Sequence, residues 1–290
     1  MNRQVRILYS PENLAMGWLF GKRADDWRAF GLAGGRPRSA ATLTSLLRRY
    51  YGIRSSRVSA EQIRAGDLKN CRLLLLSAAF NMDEATAQTI AAWVQGGGCV
   101  MADVLPATRS AYGKPRQASL LAGLFGVDAS AAQLQRESKR WYAVGTDPHP
   151  DFASDTIWLP GDTTFVDVRA TTAVPYGKML SRGGRESTPF FINAHGAGEA
   201  ILLNFVLSGL DTGSSGWFQL FGDMLLSRTG ITAPARIVDP VTNVPLPFRP
   251  LYGFRYGEAV LLGSLRGRSM RTGGRPVLVV DLDARHGNGT

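Results

Sequence analysis

The chain has 290 residues, 44% of them hydrophobic, with 33 glycines and 15 prolines. That length and composition provide for one large domain or two smaller ones, and they exclude a disordered or collagen-like chain. The net charge of +10 raises the question of nucleic acid. The arginines, however, are scattered (Arg36 and Arg38, Arg48 and Arg49, Arg182 and Arg185, Arg266, Arg268 and Arg271). They form no basic helical stripe, stacking platform or helix-turn-helix pattern, which disfavours nucleic acid as a partner. No apolar run approaches the length needed to span a bilayer, and MNRQVRILYS lacks a signal-peptide pattern. No membrane partner is expected, and a cytoplasmic location is the default.

Val5 to Tyr9 (VRILY) predicts a first strand, with a turn at Ser10-Pro11-Glu12-Asn13. Leu14 to Phe30 is rich in aromatics without clean helical spacing and reads as a loop with one short helix, in which Asp25-Asp26 marks a helix start. A helix is predicted from about Ser39 to Tyr51, with Leu43, Leu46, Leu47 and Tyr50 on one face. Ser56-Arg57-Val58 predicts a short second strand.

The organising stretch follows. Leu73 to Leu76 is four leucines in a row, the pattern of a strand buried on both faces of a parallel sheet. Ala87, Ile90, Ala91 and Val94 then recur at helical spacing behind the acids Asp83 and Glu84, which the helix dipole favours at that end. Gly96-Gly97-Gly98 stops the helix, and Cys99 to Ala102 is a second apolar run. Strand, helix, strand at this spacing is a parallel, right-handed βαβ unit.

After Asp103 a polar loop carries Arg109, Tyr112, Lys114 and Arg116, and Leu120 to Phe125 predicts a short helix ending at Gly126. Residues 129–189 are punctuated by Pro and Gly and predict a β-rich insertion at the sheet edge. A hairpin is predicted from Pro189–Asn193 and Ala200–Phe205, turning at His195-Gly196-Ala197-Gly198. Gly216 to Thr229 returns to helix, with Trp217, Leu220, Phe221, Met224 and Leu225 as its apolar face. From Ala233 the period changes to two, with strands at Arg236–Val238, Leu251–Tyr256, Ala259–Leu265 and Pro276–Val280. These few short strands read as an incomplete β unit.

Chemistry is sparse. A dinucleotide loop lies between a strand and a helix N-terminus, whereas the triple glycine follows a helix C-terminus and reads as a cap. His149, His195 and His286 have no partner spacing, so neither a metal nor a cofactor is expected. Cys71 and Cys99 each open a predicted buried strand and read as small buried apolar residues rather than as a disulfide. Ligands of open α/β sheets bind beyond the carboxyl ends of the strands. Here those ends carry Ser10, Asn13, Ser77, Phe80 and Asp103, overhung by the loop Arg109–Arg116 and approached by Trp18. Trp18, Phe80, Asp103, Arg109 and Tyr112 are therefore the candidate contacts for a sugar or a neighbouring subunit, and no catalytic residue is assigned.

Taken in order, VRILYS, LLLLSAAFNMDEATAQTIAAWVQGGGCVMAD, LLAGLFGV and GAGEAILLNFVLS resemble the region downstream of the catalytic barrel in glycoside hydrolase family 42 β-galactosidases. YGFRYGEAVLLGSLR resembles the opening of that family's C-terminal β-domain. The resemblance implies an α/β, flavodoxin-like (class I glutamine-amidotransferase-like), mostly parallel sheet with a β-rich insertion, followed by a partial β-sandwich domain. It implies a trimerisation domain over residues 1–232 and the C-terminal unit over 233–290. It further implies a homo-oligomer, trimeric in the family, working beside an upstream barrel that this chain lacks. The seven glutamates (Glu12, Glu61, Glu84, Glu137, Glu186, Glu199 and Glu258) are scattered, with no pair placed as acid and nucleophile at barrel strand ends. An amidotransferase triad needs a cysteine on a sharp turn at a strand's end, whereas Cys99 begins its strand. The expected role is non-catalytic oligomerisation and support, and the alternative is an independent ligand-binding or enzymatic domain of flavodoxin-like fold.

Overall fold

The computed structural model describes residues 4–15, 38–130, 133–136, 142–144, 157–158, 163–180, 186–205, 215–233, 251–256 and 259–264. The first half runs β1 (Val5–Tyr9), α1 (Arg38–Tyr51), β2 (Ser55–Ser59), α2 (Ala60–Arg64), β3 (Leu73–Ser77), α3 (Glu84–Gln95) and β4 (Cys99–Asp103). Short strands follow: β5 (Val127–Asp128), β6 (Gln133–Arg136), β7 (Tyr142–Val144), β8 (Ile157–Trp158), β9 (Thr163–Val166), β10 (Arg169–Ala170), β11 (Val174–Tyr176), β12 (Lys178–Leu180) and β13 (Glu186–Ser187). The hairpin β14 (Phe190–His195) and β15 (Gly198–Leu203), the helix α4 (Ser215–Thr229) and the pair β16 (Leu251–Tyr256) and β17 (Ala259–Ser264) complete the order.

The central sheet has seven strands in the order β11-β14-β15-β4-β3-β1-β2. Every pairing from β15 to β2 is parallel, while β14 and β11 join antiparallel at one edge. The fold is therefore α/β with a mostly parallel central sheet, as the leucine run and its glycine-stopped helix require. Alternation along each strand divides the interior into two cores. Leu73 and Leu75 pack with Leu43, Leu46 and Leu47 of α1 and with Phe221, Met224 and Leu225 of α4 on one face. Leu74 and Leu76 pack with Ile63 of α2 and with Ala87, Ile90 and Val94 of α3 on the other. All four leucines are at most 1% exposed, and burying each contributes about 2 kcal/mol.

Local chemistry explains the helix ends. Asp83 caps α3, its Oδ1 accepting from Thr86 N at 2.8 Å. Ser59 and Gln62 form a reciprocal capping box at the start of α2. At the far end of α3, Gly97 takes φ +109° and Gly98 runs beneath the Trp93 ring. A Cβ on Gly198 would fall on the carbonyl oxygens of Val94 and Gly98, so glycine lets β15 lie against the helix end. The β14–β15 hairpin turns at Gly196-Ala197 with Gly196 at φ +61°, as its turn residues predict.

Three local expectations differ from the structure. Residues 11–15 are helical rather than a plain turn: Ser10 Oγ accepts from Asn13 N at 3.2 Å, and Pro11 occupies the first helical position, where its missing N–H costs nothing. The helix α2, between β2 and β3, has no counterpart in the hydrophobic spacing because five residues show too little periodicity. Residues 120–126 form turns rather than a helix. There Val127 N donates to Ala122 O and Gly126, at φ +63°, donates to Gly123 O, which closes the segment after a single turn. Most of Leu14–Phe30 and the predicted strands at 236–238 and 276–280 lie outside the described residues, as do His149, His286 and the side chains of Trp217 and Leu220. Among the described residues no helix is long and apolar enough to cross a membrane.

Candidate functional site

The chain leaves β1 toward α1 on one face of the sheet and leaves β3 toward α3 on the other. Adjacent strands whose connections depart on opposite faces open a crevice between their carboxyl ends. Such a crevice of about 490 Å³ is present here. Ser10 and Glu12 form one wall after β1, and Asn81 and Asp83 form the other after β3. Glu61 and Arg64 of α2 close its side.

Hydrogen bonds fix the floor. Asn13 and Asn81 interlock: Asn81 N donates to Asn13 Oδ1 at 2.8 Å and Asn13 Nδ2 returns a bond to Asn81 O at 3.1 Å. Asn13 Nδ2 also donates to Ser10 Oγ at 2.8 Å, which ties the β1 wall to the β3 wall. Arg64 Nη1 donates to Asp83 Oδ2 and to Thr86 Oγ1, each at 2.9 Å, joining α2 to the start of α3. Burial pushes the Asp83 carboxyl up, but the bonds from Thr86 and the Arg64 charge outweigh it and hold the group below the usual carboxylate range.

Beside the crevice, the strand ends are bent sharply. Ala78 follows β3 with φ +46° and Val104 follows β4 with φ +53°, a left-handed conformation that a β-branched residue rarely adopts. Asp103, 1% exposed, holds the first bend: its Oδ1 accepts from Ala78 N at 2.7 Å. Val104 N donates to Leu203 O at 2.7 Å and holds the second.

The structure distributes the predicted contacts between interior and surface. Phe80 and Asp103 are buried, 3% and 1% exposed. Arg109 is half-buried, its N–H donating to Phe80 O at 2.9 Å and its Nη1 to Gly113 O at 3.1 Å, so it ties the loop to the segment that follows β3. Tyr112 stands at the loop tip, 94% exposed. Trp18 lies outside the described residues. Sequence reasoning did not single out Asn81, Glu61 or Arg64. The capping-box spacing of Ser59 and Gln62 was the available signal for α2, and hence for that wall.

A second recess, of about 520 Å³, opens at the amino ends of the strands among Cys71, Cys99, Glu199 and Arg228. Arg228 Nη1 meets Glu199 Oε1 at 2.6 Å. Both cysteines are free and buried, with Cys71 in the α3-side core and Cys99 in the α4-side core. Opposite faces of a sheet do not present two thiols for a disulfide. Burial pushes both thiols up to about 12, reinforced at Cys99 by the Glu199 charge, and neither is a thiolate nucleophile at neutral pH. Among the described residues no three His, Cys, Asp or Glu side chains are grouped to hold a metal ion.

No protein-family model and no curated protein matches the chain by sequence. Solved structures do. The β-galactosidase from Bacillus circulans sp. alkalophilus superposes with a TM-score of 0.66 at 12% identity, covering 90% of this chain and 35% of that one. Gan42B, a GH42 β-galactosidase from G. stearothermophilus, gives 0.65 at 15% identity, covering 90% and 34%. The β-galactosidase from Rahnella sp. R3 gives 0.62 at 14%, covering 87% and 34%. The fold is that of part of a GH42 β-galactosidase. The chain spans about a third of the length of these enzymes, and at such identities the likeness establishes the fold alone.

Proposed function

We propose that the chain is a non-catalytic oligomerisation and support region of a β-galactosidase-like glycoside hydrolase, with the catalytic barrel carried elsewhere. The observation that carries this reading is the likeness to three β-galactosidases, one of them a GH42 enzyme, over nearly the whole of this chain but a third of theirs. The finer fold proposed is flavodoxin-like, of the class I glutamine-amidotransferase type. Its support is the parallel order β2-β1-β3-β4-β15, which has the 2-1-3-4-5 pattern of doubly wound sheets. The proposed assembly is a trimer in the cytoplasm. Light scattering coupled to size-exclusion chromatography tests it: the expected mass is three times the 31.4 kDa of the chain, and a strict monomer at tens of micromolar, roughly the range where stable assemblies persist, overturns it.

The crevice between β1 and β3 favours a second reading, an independent ligand-binding domain on the same fold. A ligand whose binding is lost on Glu61→Gln, an exposed residue of the crevice lining, with the oligomer intact, would decide for it over the first.

A further inference from the structure

The central sheet ends differently at its two edges. At one edge β11 has three residues with Pro175 at its middle, which supplies no backbone N–H. Proline and brevity are two of the ways in which an edge is closed to further strands. At the other edge β2 pairs with β1 alone, in an unbroken parallel register from Val5↔Ser55 to Tyr9↔Ser59. Its five residues, SSRVS, hold no proline and no bulge. A strand turns alternate N–H and C=O groups toward each neighbour, so half of those on β2 point away from the sheet. Val58, 0% exposed, anchors the strand in the α2-side core and holds that outward row in place. The edge is also of one charge. Residues 38–60, which carry α1 and β2, contain five arginines (Arg38, Arg48, Arg49, Arg54 and Arg57) and no acid. Arg54 and Arg57 are exposed, and the Arg57 guanidinium lies over the Tyr9 ring at 5.5 Å.

We propose that the β2 edge docks an extended, acid-bearing segment of another protein chain, which adds to the seven-stranded sheet as a further strand. The segment's backbone bonds the outward groups of Ser55–Ser59, and these main-chain bonds supply the affinity. Opposite charges paired across strands are favourable, and like charges directly opposite are not. Arg57 therefore selects a carboxylate on the incoming strand, and Arg54 adds to the same field. The same rule disfavours a second copy of β2, because antiparallel pairing about its centre sets Arg57 against Arg57. Nucleic acid would satisfy the arginines but not a row of alternating N–H and C=O groups at strand spacing. The docking edge does not rest on the assembly reading.

The test is fluorescence anisotropy of the full chain with a labelled peptide of about nine residues alternating Glu and Thr. The expected dissociation constant is on the order of 100 μM, with the Lys–Thr counterpart binding about tenfold more weakly. Arg57→Glu lowers affinity for the Glu–Thr peptide about tenfold and raises it for the Lys–Thr peptide. Arg57 is exposed, so the charge reversal keeps the fold. Methylating every backbone nitrogen of the Glu–Thr peptide keeps its charge but removes its strand donors, and binding is lost. Hydrogen exchange locates the contact: binding slows the amides of Ser55–Ser59 and leaves those of β11 unchanged. No binding, equal affinity for the Lys–Thr peptide, indifference to methylation or to Arg57→Glu, or protection elsewhere overturns the proposal. Displacement of the peptide by an equal concentration of single-stranded oligothymidylate also overturns it and assigns the arginines to nucleic acid. A chain mass that falls on adding peptide places a second copy on the edge and overturns it likewise. Because trimer mass is measured without peptide, failure here leaves the assembly reading standing and the converse also holds.

Discussion

Asp103→Ala tests how the carboxyl end of the sheet is held. The Asp103 carboxylate is 1% exposed and accepts from Ala78 N at 2.7 Å, while Ala78 is 2% exposed and sits at φ +46°. Removing the carboxylate strands a buried N–H, and a hydrogen bond to a charged group contributes about 1.5–3 kcal/mol. The left-handed bend at Ala78 costs about 1–2 kcal/mol in parent and variant alike and so does not add to the difference. Asp103→Ala is therefore expected to lower stability by about 2–3 kcal/mol, a large share of the roughly 5–15 kcal/mol of a typical domain. Asp103→Asn keeps an oxygen facing Ala78 and loses about half as much. Ala78→Gly relaxes the bend and stabilises by about 0.5–1 kcal/mol. Urea unfolding followed by circular dichroism reads all three as shifts in midpoint at constant slope. If Asp103→Ala unfolds within about 0.5 kcal/mol of the parent, the bond carries no net stability and the reasoning fails.

Two glycine substitutions contrast contact with strain. Gly198→Ala drives a Cβ onto the Val94 and Gly98 carbonyl oxygens and is expected to cost about 3 kcal/mol or to abolish soluble expression. Gly66→Ala, at φ +89° with nothing within 4 Å, costs only about 1 kcal/mol, measured by the same unfolding curves. Asp83 supplies an acid-side dependence. Its folded pKa is depressed, so its contribution is present above the unfolded value of about 4 and is lost as pH falls through the folded value. Stability measured from pH 6 to about 2 should fall less steeply in Asp83→Asn, whose neutral oxygen still caps α3. The thiols, at about 12, should resist iodoacetamide at pH 8 in the native protein and react only on unfolding. Rapid native labelling of either cysteine, read by mass spectrometry, contradicts their placement.

The fold class was legible because it rests on periodicity. Four leucines at Leu73–Leu76 can be buried on both sides only inside a parallel sheet, and the Gly96-Gly97-Gly98 stop leaves no length for a longer helix. Short elements were not legible, since α2 and the helical residues 11–15 are fixed by capping bonds that the Ser59 and Ser10 hydroxyls accept rather than by apolar spacing. The candidate site was half legible. The strand-end rule pointed to Phe80, Asp103, Arg109 and Tyr112, of which the first two are buried and support the bends.

By itself the sequence determined the βαβ unit, the β14–β15 hairpin and the burial of both cysteines, because each follows from local spacing and turn chemistry. Only the tertiary structure decided which strand is whose neighbour and which groups meet. Asn13 and Asn81 interlock across 68 positions of sequence, and Arg64 reaches Asp83 across 19. Those meetings depend on the order of strands in the sheet and on the face each connection takes. Hydrophobic alternation states that a strand has two buried faces but not what lies beside it, so the crevice and its unsatisfied Asn81 oxygen emerge only once the strands are assembled.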